Sequence, residues 1–253
     1  MSLPSVELDG ELDSGGFCAT IGDGWLQGRT AYGGASAAIA LAAAKAVFNG
    51  LPPLRCAQVA FVGPIAGRVR LMPTLLRQGK NSAFIACDVT GSDGLGLRAL
   101  FLFMASRDSA INYENLTAPP HDLPDIDSVD PATTPQGFLS NFDFARGARR
   151  DAGYLRWARL RDRSNVDVET ELLAIADALP PAAMIFAKDW GPVSTASWQI
   201  NLVSDAPATR DGWWLLGADT LHAGHGSSSQ TMTIWNHDGN AVATATQSVA
   251  LFV

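Results

Sequence analysis

The 253-residue sequence predicts an α+β protein of two fused units, each an antiparallel sheet wrapped around one helix. Three observations lead to this prediction. The chain repeats itself at a constant offset, and each copy reads as one helix followed by four strands. In addition, the first helix consists almost entirely of small apolar residues, and a helix that is apolar all round is a buried one.

Two Asp-Gly turns mark the repeat. Asp93-Gly94 separates two alternating runs in the first half of the chain, and Asp238-Gly239 separates two in the second half. Asp-Gly favours tight hairpins because such turns require positive φ. The two turns lie 145 residues apart, as do the segments that precede them, so they indicate a duplicated unit.

Each copy can be divided into elements by its periodicity. The first copy predicts a helix at 32–48 and strands at 55–63, 67–78, 82–90 and 96–105. The second predicts a helix at 168–179 and strands at 193–203, 212–222, 228–236 and 240–252. An acidic, proline-rich segment lies between them. We therefore expect an N-terminal unit at 1–105, a linker at 106–138 and a C-terminal unit at 139–253.

Composition argues against several classes of function. The net charge is −7, whereas nucleic-acid binding needs a basic face, so we expect no nucleic-acid partner. No apolar run reaches the roughly 18 residues of a membrane span, so we expect no membrane insertion. The three cysteines show no CxxC spacing and no leader pattern opens the chain, so we expect a cytoplasmic protein.

The stretch LLAIADALPPA at 172–182 places one carboxylate, Asp177, in an apolar run. It falls where a helix should end, and a helix C-terminus already carries partial negative charge. Such a carboxylate is costly unless another group pairs with it or uses it. Two interpretations stay open. Asp177 is a base with a raised pKa that acts on water, or it has a structural role, in which it caps a neighbouring loop or bonds the amides that follow Pro180 and Pro181.

A second polar group interrupts an apolar face in the last predicted strand. Strand parity places Gln247 among alanine, valine and leucine side chains, so its amide points inward and needs a partner. At the 145-residue offset the first copy has Leu102, which keeps the face apolar. This asymmetry predicts one active unit and one catalytically degenerate unit. A structural Gln247 that bonds backbone in the core is the alternative.

Several motifs resemble the acyl-CoA thioesterase II family. GR-x-x-YGG opens the first helix at 28–34, VAFVGPIAGRVRL follows at 59–71, and VATATQSVAL occupies 242–251. That family has a double hotdog fold, so the resemblance implies two hotdog units in one chain, each with an antiparallel sheet around a long helix. It also implies hydrolysis of acyl-CoA thioesters to free acid and coenzyme A.

The resemblance further implies three catalytic groups: an Asp late in the second helix, a Thr or Ser opening the next strand, and a Gln in the last strand. These match Asp177, Thr195 and Gln247. In the family they activate a water that attacks the thioester directly. Strand parity groups Thr195 with the polar face, so Ser194 is the alternative source of the hydroxyl, and a plain strand threonine is a further one.

Gly33 and Gly34 open the first helix, where glycine permits close approach and leaves free N–H groups. In hotdog enzymes such amides polarise the thioester carbonyl. Here they belong to the copy that lacks Gln247, so close helix–sheet packing is the favoured explanation, and substrate binding by Gly33 and Gly34 is kept as a hypothesis.

We expect no metal site and no cofactor besides the coenzyme A of the substrate. His222 and His225 form H-x-x-H, but Arg77 and Lys80 hold the equivalent places in the first copy. We expect acyl-CoA as the small-molecule partner and a homo-oligomer, a dimer or higher. The alternatives are a hotdog enoyl-CoA hydratase, which would need an Asp and a His as acid and base, and a non-catalytic acyl- or lipid-binding protein of the same fold.

Overall fold

The computed structural model describes residues 1–9, 16–116, 118–119, 136–145 and 148–253. Within these ranges the chain forms two α-helices, α1 (Gly33–Val47) and α2 (Val168–Ala176). The strands are β1 (Glu7–Leu8), β2 (Phe17–Ile21), β3 (Leu26–Gln27), β4 (Thr30–Ala31), β5 (Leu54–Phe61), β6 (Gly67–Gln78), β7 (Ser82–Gly91), β8 (Gly94–Met104), β9 (Phe142–Phe144), β10 (Ala148–Arg150), β11 (Gly153–Leu160), β12 (Val193–Leu202), β13 (Trp214–Gly224), β14 (Ser227–Trp235) and β15 (Ala241–Leu251).

Thirteen of the described strands join in one antiparallel sheet. Its order is β1-β2-β6-β7-β8-β5-β12-β15-β14-β13-β11-β10, and β9 pairs with β11. Strands β3 and β4 form a separate hairpin. The two copies of the repeat meet where β5 pairs with β12, with Val59 opposite Trp198.

All eight predicted strands and both predicted helices are present among the described residues. The second helix ends at Ala176, three residues earlier than predicted, and Asp177 is its C-cap. The periodicity did not predict β2 or β11, which extend the sheet on either side. Most of the predicted linker, 117 and 120–135, lies outside the described residues.

The two helices pack against each other in opposite directions. Lys45 in the last turn of α1 forms an ion pair of 2.6 Å with Asp167, the N-cap of α2. At the other end, the first turn of α1 lies against Ala174 of α2. Because each positive helix end lies beside a negative one, the helix dipoles stabilise this arrangement. Helix α1 also contacts β6, β7 and β8, and residues 34–41 are all buried.

The register of the sheet corrects one equivalence drawn from the sequence. The 145-residue offset holds for β7 and β14, where Ile85 corresponds to Gln230. Between Gln230 and its partner Gln247 the chain has one residue more than between Ile85 and its partner Phe101, so the offset becomes 146 after the turn. Gln247 pairs with Gln230, and Phe101 pairs with Ile85. The counterpart of Gln247 is therefore Phe101 and not Leu102, and the equivalent face of the first copy is still apolar.

Candidate functional site

Asp177 lies between the end of α2 and the beginning of α1. The residue is half-buried, and Gln247 Nε2 donates a hydrogen bond of 2.5 Å to its Oδ1. The backbone N–H of Gly34, in the first turn of α1, also hydrogen-bonds the carboxylate. The negative end of α2 would disfavour this charge, but the positive end of α1 faces it.

Burial raises the pKa of Asp177 to about 7, because lost hydration disfavours the charged form. The hydrogen bonds from Gln247 and Gly34 lower the pKa, but burial outweighs them. Nearby, burial and then the charge of Asp177 raise the pKa of Tyr32, whose hydroxyl donates to the Ala174 carbonyl at 2.8 Å. The site therefore combines a carboxyl group that titrates near neutrality with a phenol that stays protonated.

The Gln247 amide has a second partner that the sequence reasoning missed. Gln230 Nε2 donates to Gln247 Oε1 at 2.7 Å, and both side chains are buried. The sequence could have identified Gln230, because it shares a strand face with Met232 and Ile234 and corresponds to Ile85 in the first copy. Strand parity, which singled out Gln247, applies equally to Gln230.

The amide that follows the paired prolines does not bond Asp177. The N–H of Ala182, directly after Pro181, donates to Gln230 Oε1 at 2.7 Å. The interpretation in which Asp177 bonds that amide is therefore wrong. One chain of hydrogen bonds instead runs from Ala182 through Gln230 and Gln247 to Asp177.

Thr195 faces the same side of the sheet as Gln247. It pairs with Val249, whereas Ser197 pairs with Ser248, so Ala196 is an extra residue in β12. Directly opposed residues of antiparallel strands share a face, and a β-bulge reverses the parity of the strand beyond it. The predicted polar-face position of Thr195 is therefore wrong. Among the described residues Thr195 forms no side-chain hydrogen bond with Asp177 or Gln247, and Ser194 is exposed.

A second hydroxyl lies in the same row of the sheet. Ser228 of β14 pairs with Val249 from the other side, so Thr195 and Ser228 flank that residue. The Ser228 hydroxyl is buried and has no hydrogen-bond partner within the described part of the chain. A buried hydroxyl without a partner costs roughly 1–3 kcal/mol, so this face can accept a polar ligand or water.

The two glycines lie against the carboxylate and the second helix. A Cβ atom at Gly33 would lie 2.6 Å from Asp177 Oδ2, and one at Gly34 would lie 2.5 Å from the Ala174 carbonyl oxygen. Both distances are shorter than any real contact of a Cβ atom. Gly34 thus permits close contact between α1 and α2, whereas Gly33 also lies against Phe61 of β5, as the predicted helix–sheet packing requires. Asp177, Gln247, Gly33 and Gly34 are brought together, and residues from both copies form the site.

The described residues contain no group of three His, Cys, Asp or Glu side chains arranged to hold a metal ion. No helix in the described ranges is both long and apolar enough to span a membrane.

Comparison with protein-family models matches both parts of the chain. Residues 21–104 match the acyl-CoA thioesterase N-terminal domain, and residues 119–251 match the acyl-CoA thioesterase C-terminal domain. A comparison with curated protein sequences finds no significant match.

Solved structures of similar fold include a hot dog fold protein of unknown function from Alicyclobacillus acidocaldarius. It is 20% identical, with a TM-score of 0.79 over 98% of this chain and 96% of that one. The acyl-CoA thioesterase II TesB2 from Mycobacterium marinum is 16% identical, with a TM-score of 0.74 over 97% and 94%. More distant is the dehydratase domain of RzxB from Pseudomonas fluorescens, 13% identical, with a TM-score of 0.57 over 96% of each chain.

At these identities the solved structures show the hotdog fold alone, whereas the two family models together span most of the sequence. The chain belongs to the acyl-CoA thioesterase family and is a thioester hydrolase.

Proposed function

We propose that this protein hydrolyses acyl-CoA to a free carboxylic acid and coenzyme A, with Asp177 as the general base. The observation that carries the proposal is the Asp177 carboxyl group, which Gln247 and the N–H of Gly34 hold and whose pKa of about 7 suits proton transfer at neutral pH. Its partners are neutral amides, which hold the carboxylate without neutralising it.

In the proposed step Asp177 takes a proton from a water molecule while the water oxygen attacks the thioester carbonyl carbon. A tetrahedral intermediate forms, and its collapse breaks the carbon–sulfur bond. The departing sulfur takes the proton from Asp177, which yields coenzyme A, the free acid and the regenerated carboxylate. No covalent acyl-enzyme is required and no metal ion or cofactor takes part.

The neighbouring groups have separate roles in this proposal. Gln247 fixes the carboxylate and has a second amide hydrogen with which to hold the water. The missing Cβ at Gly33 lets the Asp177 carboxylate lie against the first turn of α1, and the α1 N-terminus there favours the negative charge that develops on the carbonyl oxygen. Thr195 supplies a hydroxyl on the same face of the sheet as Gln247, one row away.

We also propose a double hotdog architecture, with units at 1–105 and 139–253 joined by the linker at 106–138. The pairing of β5 with β12 and the equivalent bulges at Leu76 and Leu221 support it. The first unit is catalytically degenerate in this proposal, yet its α1 lines the site. The exposed side chains of Trp190 and Phe252 support a homo-oligomer, because large apolar side chains on a surface favour association. We also propose that the protein is cytoplasmic.

An enoyl-CoA hydratase is the weaker candidate. The distant dehydratase neighbour shares the fold, but that chemistry needs an acid/base pair, and an Asp with a His is the expected one. The hydrogen-bond partners found for Asp177 are Gln247 and Gly34, and none of the described histidines is among them.

Release of free thiol from a panel of acyl-CoAs of increasing chain length tests the proposal. We expect release by the wild type and a loss of roughly 10²–10⁴-fold in kcat for Asp177→Asn. Consumption of an enoyl-CoA double bond, measured in parallel, tests the hydratase. Thiol release from no acyl-CoA in the panel would overturn the hydrolase proposal, and an unchanged rate in Asp177→Asn would overturn the role of Asp177.

A further inference from the structure

Gln230 lies outside every motif that predicted the site. Its side chain nevertheless donates a hydrogen bond to Gln247, which in turn donates one to Asp177. Gln230 is 2% exposed, and all three hydrogen bonds from Ala182 to Asp177 are 2.7 Å or shorter. The chain of bonds begins at Ala182 and returns to Asp177 in the same short segment, 177–182.

A backbone N–H can only donate, and this sets the direction of every bond that follows. Ala182 must face the carbonyl oxygen of Gln230, so the Gln230 NH₂ group faces Gln247. Gln247 therefore offers its carbonyl oxygen to Gln230 and its NH₂ group to Asp177. The two side-chain amide orientations thus follow from one backbone donor.

The opposite orientation of Gln247 would change the chemistry of Asp177. A carbonyl oxygen beside the carboxyl group accepts a hydrogen bond only from the protonated acid, so it favours the neutral form. A neutral Asp177 cannot accept a proton from water. The orientation of Gln247 therefore controls whether the base is available.

The fold itself does not need these two amides. In the first copy the equivalent positions are Ile85 and Phe101, which pair in the same register and are fully buried. A polar pair in a core is costly unless it is fully hydrogen-bonded, and an apolar pair serves the sheet equally well. The amide pair is thus specific to the copy that contains Asp177.

We propose that Gln230 is a positioning residue that locks the Gln247 amide with its NH₂ group toward Asp177 and thereby keeps the carboxylate ready to accept a proton. Its effect on turnover rests on the proposed function, whereas its effect on the ionisation of Asp177 does not.

Gln230→Leu, which approximates Ile85 of the first copy, tests this role, with Gln230→Met as a second variant of nearly the same length. We expect kcat to fall by about tenfold or more with little change in KM, because the affected interaction serves the reaction step. The acid limb of kcat/KM should move to higher pH. Gln199→Leu is the matched control, since Gln199 is exposed on the opposite face of β12.

Two measurements separate positioning from general damage. In a Gln247→Leu background, Gln230→Leu should cost no further activity, because Gln230 acts through Gln247. Carbon-13 NMR titration should show a higher pKa for the Asp177 carboxyl in Gln230→Leu, and this readout does not depend on turnover. An unchanged Asp177 titration, or additive losses in the double variant, would overturn the proposal even if the wild type hydrolyses acyl-CoA.

Discussion

Gln247 donates a hydrogen bond of 2.5 Å to Asp177, which joins the last strand of the sheet to the end of α2. In the sequence each of the two is a single polar residue among apolar ones, and in the structure each is a hydrogen-bond partner of the other. Because the bond donates to the carboxylate, it favours ionisation and opposes the effect of burial on the Asp177 pKa. Removal of this hydrogen bond is therefore expected to raise the pKa of Asp177.

Gln247→Leu should raise the pKa of Asp177 further, since the largest lowering contribution is lost while burial remains. At pH 7 a smaller fraction of the enzyme would hold an ionised base, and we expect kcat/KM to fall by about tenfold or more. Steady-state rates between about pH 6 and 9 check this. If activity is lost equally at all pH values, Gln247 does not act through the ionisation of Asp177.

Gly33→Ala should reduce activity more than stability. The added methyl group would lie 2.6 Å from Asp177 Oδ2 and 3.1 Å from the ring of Phe61, so it would push the carboxylate out of position. Gly22→Ala is the control, because Gly22 has an ordinary φ of −78° and open space around its Cβ position. Thiol-release assays and thermal unfolding of both variants provide the comparison. Full activity in Gly33→Ala would contradict the claim that catalysis needs the carboxylate to lie this close to α1.

Thr195→Val should lower kcat because it removes a hydroxyl from the face of the sheet that carries Gln247 while keeping the β-branched shape. Ser194→Ala is the matched control, since Ser194 is exposed one residue away. We expect a loss of about tenfold for Thr195→Val and little change for Ser194→Ala. The reverse order of effects would assign the hydroxyl to Ser194.

Asp177→Asn should stabilise the folded protein at alkaline pH. The folded pKa of about 7 lies above the ordinary value of 3.8, so between these values the folded state keeps a proton that the unfolded chain has lost. Wild-type stability from this group therefore falls as the pH rises from about 4 to 7, by about 1.4 kcal/mol for each pKa unit of difference. Asparagine does not titrate and escapes this loss.

Urea unfolding at about pH 4, 6 and 8 measures this effect. The stability of Asp177→Asn relative to the wild type should rise across the series and level off above pH 7. Asp108→Asn, a change at an exposed aspartate, is the control. A constant difference at all three pH values would show that the Asp177 pKa is not raised by folding.

The sequence predicted much of the fold because its elements are locally periodic. The repeat and its Asp-Gly turns predicted four strands in each copy. A single polar side chain on an otherwise apolar strand face identified Gln247. The face of Thr195 could not be predicted, since the bulge at Ala196 reverses strand parity without any turn residue to mark it.

The sequence also could not predict that residues from both copies of the repeat form the site. Gly33 and Gly34 approach Asp177 only because α1 packs antiparallel to α2, and that contact joins residues more than 140 positions apart. Strand parity could have identified Gln230, but its bond to Ala182 depends on how the segment after Pro181 folds over β14.

The pH dependence of kcat/KM for hydrolysis of a well-accepted acyl-CoA tests the central claim most directly, because it reports the ionisation of the essential base in the free enzyme. The rate should rise through an inflection near pH 7 and level off on the alkaline side, as a base with the raised pKa of Asp177 requires. Asp177→Asn should show only residual activity without that inflection. A profile that is flat through neutral pH, or one that falls as the pH rises through 7, would contradict the assignment of Asp177 as the base.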